Sequence, residues 1–401
     1  MRKALFRFLA LVLLAALVAG GTLLWTRRPW RVVATVNGVS LTASELDLRA
    51  EALGGDRRNR MRRREAARTW IAKEVLLGEA VQRGVSVAEE DERAATDILA
   101  AWFAAHGMTA EGFFKGGPLP EEARRQDLKE GLLINALVKE GLRTASFPDF
   151  YRSLREKANV LCPEFPELER IDTGAPLYAG MWGWRPSRVA AVAAGQIITV
   201  AELDLRVQNA LDDFRRTGQA PPNDLSEMRR REVRCWIVKA VMGAEAVRRG
   251  FKATPDDEKN EMARIVRPLK AHKLTVAQFF KEGVLPESLK LEDFRSSIRV
   301  NKFMEREVRD RIDVSTQEIE ARMADLARRA QDEVARGGKA TTRSDRKTAI
   351  NQLRRERYMD GFRDMFRSLY GSARVWCPAF PEMERIEGVM SPNASVKELL
   401  K

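Results

Sequence analysis

The sequence predicts a mainly α-helical protein. It reads as two tandem helical modules, each with a small β element pairing its ends, after an N-terminal transmembrane helix. Three observations carry this prediction: sequence blocks that recur in one order, helix-period apolar stripes bracketed by capping residues, and an uncharged opening run. Glu45-Leu46-Asp47-Leu48-Arg49 recurs as Glu202-Leu203-Asp204-Leu205-Arg206. Met61-Arg62-Arg63-Arg64-Glu65 recurs as Met228-Arg229-Arg230-Arg231-Glu232. Phe113-Phe114-Lys115, with Leu119-Pro120-Glu121 behind it, recurs as Phe279-Phe280-Lys281 with Leu285-Pro286-Glu287. Cys162-Pro163, Phe165-Pro166-Glu167 and Glu169-Arg170-Ile171 recur as Cys377-Pro378, Phe380-Pro381-Glu382 and Glu384-Arg385-Ile386. Four blocks in the same order mark a duplication, so any idea about one copy can be asked of the other.

Taken in order, the N-terminus comes first. Arg2, Lys3 and Arg7 precede the uncharged run Phe8–Trp25, and Arg27 and Arg28 follow it. The run approaches the ~20 residues that cross a bilayer core of about 30 Å. It exceeds the ~7–15 residues of a signal-peptide core, which favours an uncleaved signal-anchor. The alternative is a signal cleaved near Val18-Ala19-Gly20, leaving a soluble periplasmic protein. The expected location is therefore the inner (cytoplasmic) membrane, single-pass, with the bulk of the chain in the periplasm or extracytoplasmic space. The expected divisions are a cytoplasmic stub and anchor at 1–30, module 1 at 31–173, a linker at 174–186, module 2 at 187–388 and a tail at 389–401. Module 2 carries an insertion at 313–352.

Each module opens with a β-hairpin signal. Val32–Val36, Asn37-Gly38 and Val39–Leu41 give two apolar runs around a tight turn. Val189–Val192, Ala194-Gly195 and Ile197-Ile198 repeat it without the Asn. Thr42-x-x-Glu45 and Thr199-x-x-Glu202 are capping boxes that start a helix. A long helix follows, with Ala67, Trp70, Ile71, Leu77 and Val81 on one face in copy one. Val233, Trp236, Ile237, Ala240 and Val247 do the same in copy two. Gly84 and Gly250 end these helices. Ser86-x-x-Glu89, and Thr254 before Pro255, start the next. Short helices are expected around Thr109–Lys115 and Thr275–Lys281, then longer ones over Glu121–Leu142 and Glu287–Val308. Closing helices (Phe150–Lys157 and Leu353–Leu369) lead to short strands, Asn159–Leu161 and Arg374–Trp376. In the insertion, Ser315-x-x-Glu318 caps a helix and 336–343 reads as a basic loop.

Composition excludes several chemistries. Three cysteines in 401 residues rule out a disulfide scaffold, and two histidines in no ligand spacing argue for no zinc site. No cofactor motif is present, so no cofactor is expected. The net charge of +13 favours anionic surfaces, but 57 acidic residues interleave with 70 basic ones, so no nucleic-acid partner is expected.

The order of elements resembles the chaperone module of SurA and of its membrane-anchored relatives PpiD and PrsA. The residues that carry the likeness are Ala34-Thr35-Val36-Asn37-Gly38 leading to Leu41-Thr42-x-x-Glu45-Leu46. They continue with Glu79 to Ser86, the Thr109-x-Glu111-x-Phe113 step, and the closing Leu154-Arg155-x-Lys157-Ala158-Asn159-Val160. The resemblance implies SurA N-terminal-like modules, duplicated, and an ATP-independent chaperone for exported proteins. That family often carries a parvulin prolyl-isomerase domain before the closing helix. Copy one has almost nothing there, and the insertion of copy two is below the ~50 residues of an independent domain. An enzyme is therefore not expected.

Single residues are weighed against this background. Phe113-Phe114 and Phe279-Phe280 are adjacent rings on short helices, so at least one of each pair should face away from a single core stripe. The outward ring is a candidate for binding unfolded clients; the alternative is that both pack beneath the following Leu-Pro turn. Cys162 and Cys377 correspond between copies and are a candidate disulfide, with two buried thiols as the alternative. Cys235, beside Trp236, reads as core. His106 and His272 correspond and read as cations near helix C-termini rather than metal ligands. The run Arg57-Arg58-x-Arg60-x-Arg62-Arg63-Arg64 reads as a solvated face rather than a phosphate site. Trp182 and Trp184 read as a packed hinge. The expected function is a membrane-anchored holdase whose partners are unfolded or nascent exported polypeptides. The alternatives are a membrane scaffold for a folded partner and, more remotely, a prolyl isomerase. Oligomeric state is left open.

Overall fold

A computed structural model describes residues 30–54, 56–142, 144–170, 189–216, 220, 222, 224–271, 275–336 and 345–390. The expected anchor Phe8–Trp25, the linker with Trp182 and Trp184, His272, most of the basic loop and most of the tail lie outside these residues. Among the described residues no helix is long and apolar enough to cross a membrane. The chain is mainly helical, and its elements fall into two compact units.

The first unit begins with strands β1 (Val32–Val36) and β2 (Val39–Thr42). Asn37 (φ 50°) and Gly38 (φ 90°) both sit in the left-handed region, the geometry of a two-residue hairpin turn. Thr42 caps α1 (Ala43–Ala52), accepting the Glu45 N–H at 3.2 Å. Then come α2 (Arg60–Gln82), α3 (Glu89–Ala105), α4 (Ala110–Lys115), α5 (Glu121–Gly141) and α6 (Phe147–Lys157). Strand β3 (Val160–Leu161) returns to pair antiparallel with β1, giving the sheet order β2-β1-β3. The two ends of the module are therefore neighbours in one sheet. Leu41, Leu46, Leu76, Ile134, Leu137, Phe147 and Phe165 are its fully buried large side chains.

The second unit repeats the plan. Strands β4 (Val189–Ala193) and β5 (Gln196–Thr199) precede α7 (Val200–Arg216), α8 (Leu225–Arg248), α9 (Pro255–Ala271), α10 (Val276–Lys281) and α11 (Glu287–Glu307). The returning segment pairs through a single bridge, Val192 with Trp376. Helices α12 (Thr316–Ala335) and α13 (Arg346–Ser372) make the insertion and the closing helix. A short α14 (Ile386–Val389) ends the described chain.

Four expectations need correction. Val81 and Val247 are exposed, at 68% and 58%, rather than on the core face. The buried side of α2 runs through Val75, Leu76 and Ala80, because the helix packs on both α1 and α5 and needs a broader stripe than one 120° arc. Ser86 is not a cap: α3 starts behind Ala88, which offers no side-chain acceptor. The closing helix of copy two is not a separate piece at 353–369 but the second half of a 27-residue helix that also builds the insertion.

The fourth correction concerns the duplication. Helices α2 and α8 are continuous, so positions along them correspond without a gap. Matching Trp70 to Trp236 puts Arg63 opposite Arg229 and Arg64 opposite Arg230. The ion pairs agree: Arg63 holds Asp47 as Arg229 holds Asp204, and Arg64 holds Glu167 as Arg230 holds Glu382. The two Met-Arg-Arg-Arg-Glu strings are thus displaced by one residue. One residue is about 100° of helix, so Met61 is 76% exposed and Met228 only 4%.

Candidate functional site

The recurrent blocks are first of all structural. In the Cys-Pro-x-Phe-Pro-Glu segment a turn of 3-10 helix forms at Pro166–Glu169 and again at Pro381–Glu384. Glu169 accepts the Cys162 N–H at 2.7 Å, and Glu384 accepts the Cys377 N–H at 3.1 Å. Phe165 and Phe380 begin these turns, and Phe165 is fully buried. Arg155 donates to the carbonyls of Leu168 and Glu169, while Tyr370 at the matching position donates to that of Met383. Two unlike side chains thus satisfy one buried acceptor site.

The bridge considered for Cys162 and Cys377 is not formed: both are free, buried thiols. Each is held inside its own unit, Cys377 with its Sγ 3.6 Å from the Ala190 carbonyl. Burial pushes the Cys162 thiol up to about 11 and the Cys377 thiol to about 12, which leaves neither as a thiolate. Cys235 is in no disulfide and is half-buried on the lining of a cleft rather than core. His106 caps α3, its Nδ1 2.8 Å from the Trp102 carbonyl and its ring against the Trp102 ring. No group of three His, Cys, Asp or Glu among the described residues is placed to hold a metal. In the basic run, Arg57, Arg63 and Arg64 are committed to Glu51, to Asp47 and Glu164, and to Glu167.

A second shared feature is a buried charge cluster. In copy one Arg49 reaches Glu45 and Asp127, and Lys73 reaches Asp127, Glu130 and Glu74. Lys73 is 5% exposed. In copy two Arg206 forks onto Asp293 at 2.6 and 3.1 Å and also holds Glu202. Ser296 and Ala240 stand where copy one has Glu130 and Glu74. Glu232 lies near this cluster, and burial raises its carboxyl above its ordinary value against the pull of Arg206, Lys239 and Arg231.

In copy two this cluster borders an open cleft of about 700 Å³ between α7, α8, α9, α10 and α11. Its apolar wall includes Phe214, Trp236, Leu269, Phe279, Leu285 and Phe294. Its polar border carries Arg216, Arg231, Lys239 and Lys290 together with Asp213, Glu232, Glu282 and Asp293. Of the four phenylalanines singled out by sequence, Phe279 joins this wall at 39% exposure. Phe280 is buried and packs edge-on against Phe294, with ring centres 5.6 Å apart. Phe114 is buried, and Phe113 is half-buried beneath the Arg124 guanidinium, 4.6 Å from its ring centre. In each pair one ring is buried; of the other two, Phe279 turns outward, whereas Phe113 packs on Phe103 with ring centres 4.6 Å apart.

Sequence reasoning missed Phe214, Arg216, Glu232 and Phe294. The signal existed in the duplication itself. Helix α1 has 10 residues and α7 has 17. The two extra turns supply Ala210, Asp213, Phe214 and Arg216, one whole side of the cleft. A longer gap between the first and second recurrent blocks of copy two marks this extension in the sequence.

The chain matches no protein-family model, no curated protein and no solved structure.

Proposed function

We propose that this chain is an extracytoplasmic, ATP-independent holdase, tethered by its N-terminal run, that captures apolar segments of unfolded exported polypeptides. Its two units are read as SurA N-terminal-like modules, duplicated and without the parvulin domain, so the proposal includes no catalytic step. The observation that carries it is the α7–α11 cleft: wide, open, walled by aromatic and aliphatic side chains and bordered by charges of both signs. Such a surface binds apolar segments without selecting one sequence. Capture lowers the concentration of free unfolded chain, and with it aggregation. Border charges of both signs accept the polar residues that flank apolar segments in any real client.

The test is light scattering of a chemically unfolded exported protein diluted into buffer without nucleotide, in the presence of the full chain in nanodiscs. Empty nanodiscs and an inert protein of matched charge are the controls. Suppression near stoichiometric ratio is the expected result. No suppression across several clients would sink the proposal and turn attention to a scaffold for a folded partner. Acceleration of a proline-limited refolding step would restore the isomerase reading.

A further inference from the structure

The insertion of copy two forms a helical hairpin whose ion pairing changes along its length. Helix α12 and the first half of α13 pack antiparallel around Ile319, Leu326 and Ala349, with Met323 and Leu353 against them. Ser315 and Glu318 start α12 with a full capping box, and Asp345 caps α13 on Thr348. Across the hairpin, Arg322 pairs with Glu356 and Arg357 with Glu318, and Arg329 pairs with Asp325 along α12. Beside these pairs stand cations that have none. Arg328, Arg336, Arg346, Lys347, Arg354 and Arg355 are all exposed and make no ion pair among the described residues.

Helical spacing turns Arg328 away from the shared seam on α12 and Lys347, Arg354 and Arg355 away from it on α13, while Arg336 flanks α12 and Arg346 stands in the exposed first turn of α13 on the Ala349–Leu353 stripe. The nearby acids are few: Asp332 is exposed, Glu333 is half-buried, and Asp345 is occupied as a cap. Val334 stands among the cations at 56% exposure. An apolar side chain set among unpaired cations is the composition of a helix that lies on an anionic lipid interface. Stacking on single-stranded bases has no platform here, because no aromatic residue occurs between Phe303 and Tyr358.

We propose that the outer part of the α12–α13 hairpin docks on an anionic phospholipid surface, holding module 2 at the bilayer. The opening run Phe8–Trp25, if it anchors the chain, keeps that surface within reach and favours lipid over duplex nucleic acid as the source of phosphate. The inference does not depend on the holdase reading.

The experiment is hydrogen exchange of the full chain in nanodiscs of phosphatidylcholine alone or with phosphatidylglycerol. Slowed exchange at both helix ends flanking the tip (residues 328–336 and 346–355), only in the anionic discs and reversed by high salt, is the expected result. The variant carrying Arg346→Gln, Lys347→Gln, Arg354→Gln and Arg355→Gln should lose that slowing. Each cation near the surface contributes about fivefold to partitioning, so four together exceed about a hundredfold. Circular dichroism of the variant checks that the hairpin still folds, and the salt reversal tests the wild-type chain without any substitution. Equal slowing in both disc types, slowing in neither, or slowing retained in the variant would overturn the proposal. Slowing by a DNA duplex but not by anionic discs would overturn it in favour of nucleic acid.

Discussion

At the residue scale, the copies expose which positions are under strain and which under charge. Asn37 and Ala194 hold the same turn position at φ 50° and φ 49°. Asn tolerates the left-handed region; Ala has its Cβ against the neighbouring carbonyl there. Ala194→Asn should therefore stabilise module 2 by about 0.5–1 kcal/mol, measured by urea unfolding. Asp127 is the hub of the copy-one cluster at 6% exposure. Burial pushes its carboxyl up, but Arg49 and Lys73 outweigh burial and hold it below its ordinary value of 3.8. A carboxyl so lowered adds stability above its unfolded value and loses it as pH falls through the folded one. Asp127→Asn should cost about 3 kcal/mol at neutral pH, because Lys73 and Arg49 lose their shared partner. The same variant should flatten the fall in stability that the wild type suffers below about pH 4.

At the element scale, capping was largely legible and packing was not. Thr42, Thr254 and Ser315 each accept the N–H that their spacing predicts, because a cap depends on four consecutive residues. Ser315→Ala should cost about 1 kcal/mol, detected as faster hydrogen exchange in the first turns of α12. The core stripes were misread where a helix has two packing partners, as for Val81, and where a local string match outvoted helix continuity. The shifted Met-Arg-Arg-Arg-Glu strings are the plainest case. Their likeness is real in sequence, but the partners Asp47 and Asp204, which choose the register, lie on other helices. The merged α13 failed for a similar reason: nothing local distinguishes a closing helix from one prolonged by a neighbour packed along it.

At the scale of the whole molecule, the duplication supplies a frame, and its departures supply the surfaces on which the functional proposals rest. The charge cluster, the Cys-Pro turn and the short aromatic helices recur in both copies and explain folding. The extension of α7 and the α12–α13 hairpin occur in copy two alone and carry the two functional proposals. Phe279 follows this logic: its half-exposed ring stands in the cleft with Phe214 and Phe294. Phe279→Ala should leave unfolding free energy within about 1 kcal/mol of wild type. It should weaken capture of an unfolded client by roughly tenfold, read by fluorescence anisotropy of a labelled client segment. The equivalent change at Phe113, half-covered by Arg124, should cost more stability and less affinity.

The sequence by itself determined the helical class, the duplication, the turns, most caps, and the pairing of each module's ends, since these depend on period, spacing and a few residue types. Divergence of adjacent side chains by about 100° leaves one ring outward in copy two, Phe279, but in copy one Phe113 packs between Phe103 and Arg124. The tertiary structure alone decided the register of α2 against α8 and the fate of Val81. It likewise decided the free state of Cys162 and Cys377 and the gathering of Phe214, Trp236, Phe279 and Phe294 around one cleft. Each of these turns on which surfaces of separate helices meet, and that choice minimises exposed apolar area and unpaired charge over the whole unit rather than along any one segment.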